Sequence, residues 1–236
     1  TNADFDGRDA LAVLLRPGEQ AESRLLDYQP TMEAHWFAET ARDCKFAFAG
    51  DTLVLVGEAR GKHNDIDMIA RDRLVVVEVD VMTDGEPKWT VAGPGPGTQS
   101  RALALDIDDL GRFHVVGYTC PDNCKPDGEV RVYEPGGALV SPPVQLGPLG
   151  SLWLGPHDIA WSPAGYAVVA FGELVDGESV FKAQAVAPGV AEPLWTFLPL
   201  DRQGQQLALA SAVGPNGEVY LGGLADGRPA FAVSGG

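Results

Sequence analysis

Ile159-Ala-Trp-Ser-Pro-Ala-Gly165-Tyr-Ala-Val-Val-Ala-Phe-Gly172 is a short apolar run, a turn ending in glycine, and a second apolar run closed by glycine. The same grammar is written three more times. It appears as Phe46-Ala-Phe-Ala-Gly50-Asp-Thr-Leu-Val-Leu-Val-Gly57, as Ala102-Leu-Ala-Leu-Asp106 through Gly111 to Phe113-His-Val-Val-Gly117, and as Leu207-Ala-Leu-Ala through Gly217 to Val219-Tyr-Leu-Gly222. The closing glycines fall 60, 55 and 50 residues apart. A fixed period of this size marks a repeat architecture, in which one supersecondary unit is copied along the chain. Neighbouring runs such as Leu74-Val-Val-Val-Glu-Val-Asp-Val81 have no helical period and are rich in valine, so the elements are strands.

Working outward, each closing glycine is followed by a loop and a third apolar run. Asp127-Gly128 precedes Val130-Arg-Val-Tyr133, Asp176-Gly177 precedes Val180 to Val186, and Asp226-Gly227 precedes Ala230 to Val233. Asp6-Gly7 stands before Ala10-Leu-Ala-Val-Leu-Leu15 in the same way, so the chain opens in the middle of a unit. A Pro/Gly turn then leads to a fourth run, and two of these nearly match: Glu86-Pro-Lys-Trp-Thr90 and Glu192-Pro-Leu-Trp-Thr196. Four short strands per unit of about 50 residues is how a β-propeller blade reads. Blades stack on both faces, which explains apolar runs without clean alternation, and Trp89 and Trp195 are expected to fill the wedges between them. The predicted class is therefore all-β, a single propeller domain over 1–236 with units at 1–30 (a half blade), 35–97, 98–152, 153–203 and 204–236. The N-terminal segment supplies third and fourth strands and the C-terminal unit supplies first to third. That overlap predicts either a closed ring of about five blades, which removes free sheet edges, or an arc of a larger propeller. Only Met32 to Ala41 has the composition for a helical turn or two.

The units resemble those of secreted bacterial β-propellers built from degenerate repeats. Leu105-Asp106 with Gly111, Val115-Val-Gly117-Tyr118, Arg131-Val-Tyr-Glu-Pro-Gly136 and Pro193-Leu-Trp-Thr196 carry the likeness, with Arg8-Asp-Ala-Leu-Ala-Val13 and Pro17-Gly18 as the third-strand portion. The resemblance implies a secreted, periplasmic or cell-surface location in a bacterium. It implies architecture and not activity, since one fold hosts many functions.

Composition narrows the partners. Gly 29 and Pro 18 are spread along 236 residues, in keeping with many tight turns, and 45% hydrophobic residues suffice for a core. A net charge of −16 excludes a nucleic-acid backbone as partner and an anionic membrane surface. No apolar run is long enough for direct membrane insertion as a helix. Of the three cysteines, Cys120 and Cys124 flank Pro121-Asp-Asn123, a loop that a disulfide would close. Free thiols and a metal are the alternatives, although His35, His63, His114 and His157 are too scattered to complete a ligand set. Cys44 reads as a buried small hydrophobe.

Candidate chemistry is sparse. Asn2, Asp4 and Asp6 place oxygen ligands at alternate positions before Gly7, as a calcium loop does, but Val13 stands where the bidentate carboxylate belongs. An Asp/Gly hairpin loop is the competing account. Asp106-Ile-Asp108-Asp109-Leu-Gly111 is also calcium-like, but it coincides with a hairpin turn. His63, Asp65 and Asp67 lie in the loop of the next unit, where they and Trp161 are candidates for a loop-face binding site; a solvated polar loop is the simpler account of the first three. His157-Asp158 opens a first strand and is the candidate catalytic pair, as base or metal ligand, with Asp106 and Trp161 nearby; a structural hydrogen-bonding role competes. There is no G-x-S-x-G elbow, P-loop, H-E-x-x-H or dinucleotide fingerprint. The expectation is a non-catalytic propeller holding a protein or glycan partner through its loop face. A glycan hydrolase or lyase and a subunit of an extracellular assembly are the alternatives.

Overall fold

In the computed structural model the described residues are 10–14, 22–26, 45–50, 52–61, 71–80, 88–91, 99–120, 127–149, 155–198 and 206–234. They contain seventeen strands in five antiparallel sheets. β1 (Ala10–Leu14) pairs with β2 (Glu22–Leu26). β3 (Lys45–Ala49), β4 (Thr52–Gly61), β5 (Arg71–Asp80) and β6 (Lys88–Val91) form the second sheet. β7 (Gln99–Ile107), β8 (Phe113–Cys120), β9 (Asp127–Tyr133) and β10 (Val144–Pro148) form the third. β11 (Pro156–Ser162), β12 (Tyr166–Val175), β13 (Glu178–Val186) and β14 (Trp195–Phe197) form the fourth. β15 (Gln206–Val213), β16 (Val219–Ala225) and β17 (Arg228–Ser234) form the fifth. Every sheet is a meander in chain order. The helical turn expected at Met32–Ala41 lies outside the described residues.

Turn chemistry sets the hairpins. Asp176-Gly177 and Asp226-Gly227 each put two residues at positive φ (54° and 88°; 48° and 72°) between paired Val175 and Glu178, and Ala225 and Arg228. That is the two-residue turn whose twist matches the flanking strands, and Asp-Gly is among its preferred sequences. The β7–β8, β11–β12 and β15–β16 turns share another design. Gly111, Gly165 and Gly217, all at positive φ, donate their N–H to the carbonyls of Asp108, Ser162 and Gly214 at 2.9, 2.9 and 3.0 Å.

The second to fifth sheets stack face to face in chain order, and the core lies in the seams. Val54 and Val56 meet Ala102, Leu105, Phe113 and Val115 in the first seam. Val116, Val130 and Val144 meet Ile159, Ala167 and Val169 in the next. Val168, Ala170, Phe181 and Ala183 meet Ala208, Val219 and Leu221 in the last, where Trp195 also packs. Trp195 thus fills an inter-sheet wedge, edge-on to Tyr166 at 6.1 Å. Alternate residues of one strand serve opposite seams, so Phe113 and Val115 face back while Val116 faces forward. This is the period of two expected of a strand buried on both faces.

The first strands of the third, fourth and fifth sheets each carry a bulge near their start, between Ala102 and Ala104, Pro156 and Asp158, and Ala208 and Ala210. Leu103, His157 and Leu209 are the extra residues. Opposite two of the bulges the partner strand has Gly117 and Gly223, paired with Ala102 and Ala208. A Cβ on Gly117 would run into the Arg101 carbonyl oxygen, and one on Gly223 into that of Leu207. Close backbone approach, not turn geometry, requires glycine there.

Candidate functional site

The densest polar constellation among the described residues is built on the β7–β8 turn. Asp108 sits where the turn begins, its carboxylate buried. Its Oδ1 accepts the backbone N–H groups of Leu110 and Arg112, both at 2.9 Å. Its Oδ2 accepts from Arg112 Nε at 2.7 Å and His114 Nε2 at 2.9 Å. The calcium-like run Asp106 to Gly111 is therefore a hairpin turn in which the Asp106 and Asp108 carboxylates already hold N–H donors.

Burial alone pushes the Asp108 carboxyl up, but hydrogen bonds from His114, from the Arg112 backbone and guanidinium, and from Leu110 outweigh it and hold the group below its ordinary value. Burial pushes His114 the other way for its charge type, below the ordinary imidazole value, against the pull of Asp108. The imidazole is thus neutral with its proton on Nε2, donated to the carboxylate, and Nδ1 carries a lone pair with no hydrogen-bond partner. The ring lies against Trp161 of the next sheet, centroids 4.5 Å apart and planes at 38°.

Asp106, two residues before Asp108, ties the same sheets together. Its Oδ2 accepts the backbone N–H of Trp161 at 2.6 Å and its Oδ1 that of Ile107 at 2.8 Å. Asp158 repeats the device one sheet later: Oδ2 accepts the N–H of Ser211 at 2.7 Å and its hydroxyl at 3.4 Å. These bonds span 55 and 53 residues, one repeat each. An acidic side chain on one first strand reaches the backbone of the next, satisfying a donor that the bulged sheet edge leaves over.

Beside this constellation, between the β3–β4 hairpin and the β7–β8 turn, lies a cleft of about 600 Å³. Ala49, Ile107 and Phe113 contribute apolar wall, and Thr52, Asp106 and Asp109 contribute polar atoms. Asp109 is exposed.

The candidates named from sequence are dispersed. His157 is the bulged residue of β11 and half-buried, and Asp158 is engaged with Ser211. Neither lines the cleft. Trp161 is within β11, half-buried against His114. Asp106 and Trp161 do meet, through a backbone hydrogen bond. Asn2, Asp4, Asp6, His63, Asp65 and Asp67 lie outside the described residues, as does Cys124; Cys120 is the last residue of β8. Among the described residues no three His, Cys, Asp or Glu side chains gather as a metal site, and no helix is long and apolar enough to cross a membrane. Sequence reasoning missed the Asp108–His114 pair. Its one available signal was that a strand pairs alternate residues on one face, which places His114 across from Asp106.

No protein-family model and no curated protein sequence matches the chain. Among solved structures it is similar to a protein of unknown function from Dyadobacter fermentans, at 13% identity, TM-score 0.49, covering 86% of this chain and 68% of that one. It is similar to a structure from the GH130 family of mannoside phosphorylases, which contains glycoside hydrolases that target β-1,2 mannosidic linkages in Candida mannan. There the identity is 13%, the TM-score 0.38 and the coverage 94% and 73%. A glycosyl hydrolase from Bacteroides ovatus gives 12%, 0.38, 94% and 73%. At TM-scores below 0.5 none of the three bears on what this chain does.

Proposed function

We propose that the chain is a propeller-type, non-catalytic binding module of a secreted or cell-surface protein, holding a protein or glycan partner in the cleft between the β3–β4 and β7–β8 hairpins. Its sheets act as blades whose first strands β7, β11 and β15 run side by side, joined by the Asp106 and Asp158 bonds. The observation that carries the reading is the use of the carboxylates. Asp106, Asp108 and Asp158 all accept backbone N–H groups of turns or of the neighbouring sheet. A carboxylate that holds backbone donors is a framework element; general acid–base work on a glycosidic bond needs a pair facing across open space. Around the cleft this leaves a rigid floor and one exposed carboxylate, Asp109, at the rim. Binding residues on loops held by a stiff scaffold follow the same logic.

The test is a screen of the full chain against immobilised neutral oligosaccharides and extended peptides, repeated with Asp109→Arg. We expect a ligand whose affinity falls at least about tenfold in the variant, equivalent to roughly 1.4 kcal/mol, with no product formed. Cleavage of a glycoside by the wild type, or a ligand indifferent to position 109, would refute the reading.

A further inference from the structure

Among the described residues the fifth sheet is the last of the stack, and its outer face carries the pattern of a buried one. Register aligns the three second strands: Gly117, Phe171 and Gly223 are paired opposite the bulges, so Tyr220 corresponds to Val168 and His114, and Gly222 to Ala170 and Val116. On the third strands Phe231 pairs with Gly222, as Ala183 pairs with Ala170 and Val130 with Val116. Val233 pairs with Tyr220, as Ala185 does with Val168 and Val132 with His114. In the third and fourth sheets every one of these positions is buried. Phe231 is 83% exposed, whereas Val130 and Ala183 are 1% and 0%. Tyr220 and Val233 are exposed to 46% and 49%.

The centre of the face is also free of charge: Ala210, Ala212, Tyr220, Gly222, Phe231 and Val233 compose it, in a chain of net charge −16, and the Glu218 carboxylate stands at its rim beside Tyr220. Its opposite face is filled by the fourth sheet through Val219, Leu221, Ala230 and Ala232. Among the described residues β17 has no strand on its outer side, so the sheet has three strands where the second to fourth have four.

We propose that this face is an interface, occupied by the same face of a second copy of this chain about a two-fold axis. Two strongly acidic chains repel over most of their surfaces, and an apolar face whose one carboxylate, Glu218, stands at the rim is where they can approach. A two-fold contact sets the patch against itself, and a three-stranded sheet laid on its twin at the ordinary sheet-to-sheet spacing shields both sets of Tyr220, Phe231 and Val233. The chain's own β1–β2 pair is a separate two-stranded sheet and does not extend β15–β17. The inference rests on burial and charge pattern and is independent of the cleft.

The experiment is native mass spectrometry with sedimentation velocity on the full chain, on Phe231→Asp and on the control Leu110→Asp, an exposed leucine in the β7–β8 turn. The expected result is a dimer of twice 24.9 kDa for wild type and control, and a monomer with unchanged circular dichroism and melting temperature for Phe231→Asp. A monomeric wild type would overturn the proposal, and so would an open series of larger oligomers, which signals head-to-tail stacking. Loss of fold in Phe231→Asp would equally overturn it, because Phe231 would then be covered within one chain.

Discussion

Asp108→Asn exchanges one oxygen for an amide nitrogen at nearly constant volume. The retained oxygen still accepts from Leu110 and Arg112 N–H, so the turn keeps its backbone bonds. The new NH₂ faces Arg112 Nε–H and His114 Nε2–H, where the carboxylate accepted at 2.7 and 2.9 Å. Hydrogen bonds to a charged partner are worth about 1.5–3 kcal/mol each, so the gross loss is about 3–6 kcal/mol. Part returns, because a buried charge is removed and His114 can move its proton to Nδ1 and accept from the amide through Nε2. The net cost is about 2–4 kcal/mol, or a melting temperature lower by roughly 5–15 °C for a chain of this length. The pH dependence fixes the sign. Both native values are lowered, so each group contributes stability that is full above its unfolded value and lost as pH falls. His114 erodes wild-type stability below 6.5, where the unfolded imidazole binds a proton that the folded one refuses; Asp108 erodes it again below 3.8. Asp108 opposes the lowering of His114, so the first loss is larger in the variant, which lacks the second; its deficit widens below pH 6.5 and shrinks again below pH 3.8. Urea denaturation at neutral pH, near pH 5 and near pH 3, with imidazole ¹⁵N shifts to read the His114 tautomer, measures all of this. A neutral-pH deficit under about 0.5 kcal/mol, or one that does not shrink between pH 5 and pH 3, would refute the reasoning.

Gly223→Ala should cost about 3 kcal/mol, since a Cβ there runs into the Leu207 carbonyl and lies 2.7 Å from Phe181. Gly222→Ala, one residue earlier with only Ala210 Cβ at 3.9 Å, should stay within about 0.5 kcal/mol of wild type; equal melting temperatures for the two would count against the bulge. Asp158→Ala removes the bond to Ser211 and should cost about 1–2 kcal/mol, with hydrogen exchange of the Ser211 amide accelerated; an unchanged amide would mean the tie is dispensable. Thiol titration of the denatured, unreduced chain should find one free thiol of the three cysteines, and three would show that Cys120 and Cys124 are not bridged.

The meander order and the strand content were legible because punctuation and periodicity are local. Asp176-Gly177 and Asp226-Gly227 announce their hairpins in two letters, and Trp195 ends in a wedge between sheets as its repeat position suggests. What local reading lost is register. Gly222 looks like the counterpart of Gly117, yet Gly223 is the residue opposite the bulge, because glycines that end a run and glycines that admit a carbonyl are identical on paper. The same blindness hid the Asp108–His114 pair. Six residues separate them, and only the five-residue β7–β8 turn between paired Ile107 and Phe113 folds one onto the other. His157-Asp158 drew attention as an adjacent pair, but a bulge falls at His157 and Asp158 is engaged with Ser211, neither of which adjacency reveals.

One turn geometry solved three ways isolates what is special about the Asp108 region. Ser162 holds its turn with a hydroxyl accepting from Ala164 N–H at 3.2 Å. Gly214 supplies no side chain, and Glu218 reaches back to Asn216 instead. Both turns form without a buried charge, so closing the hairpin does not require Asp108. A carboxylate buried with an arginine and a neutral histidine costs more desolvation than either alternative. Its return is rigidity, because four donors converge on two oxygens and the histidine abuts Trp161 across the seam. Of these three turns only this one lines the cleft. A wall that must not yield when a ligand is seated is a reason to meet that cost there, and the two simpler turns show what the chain does where no such wall is needed.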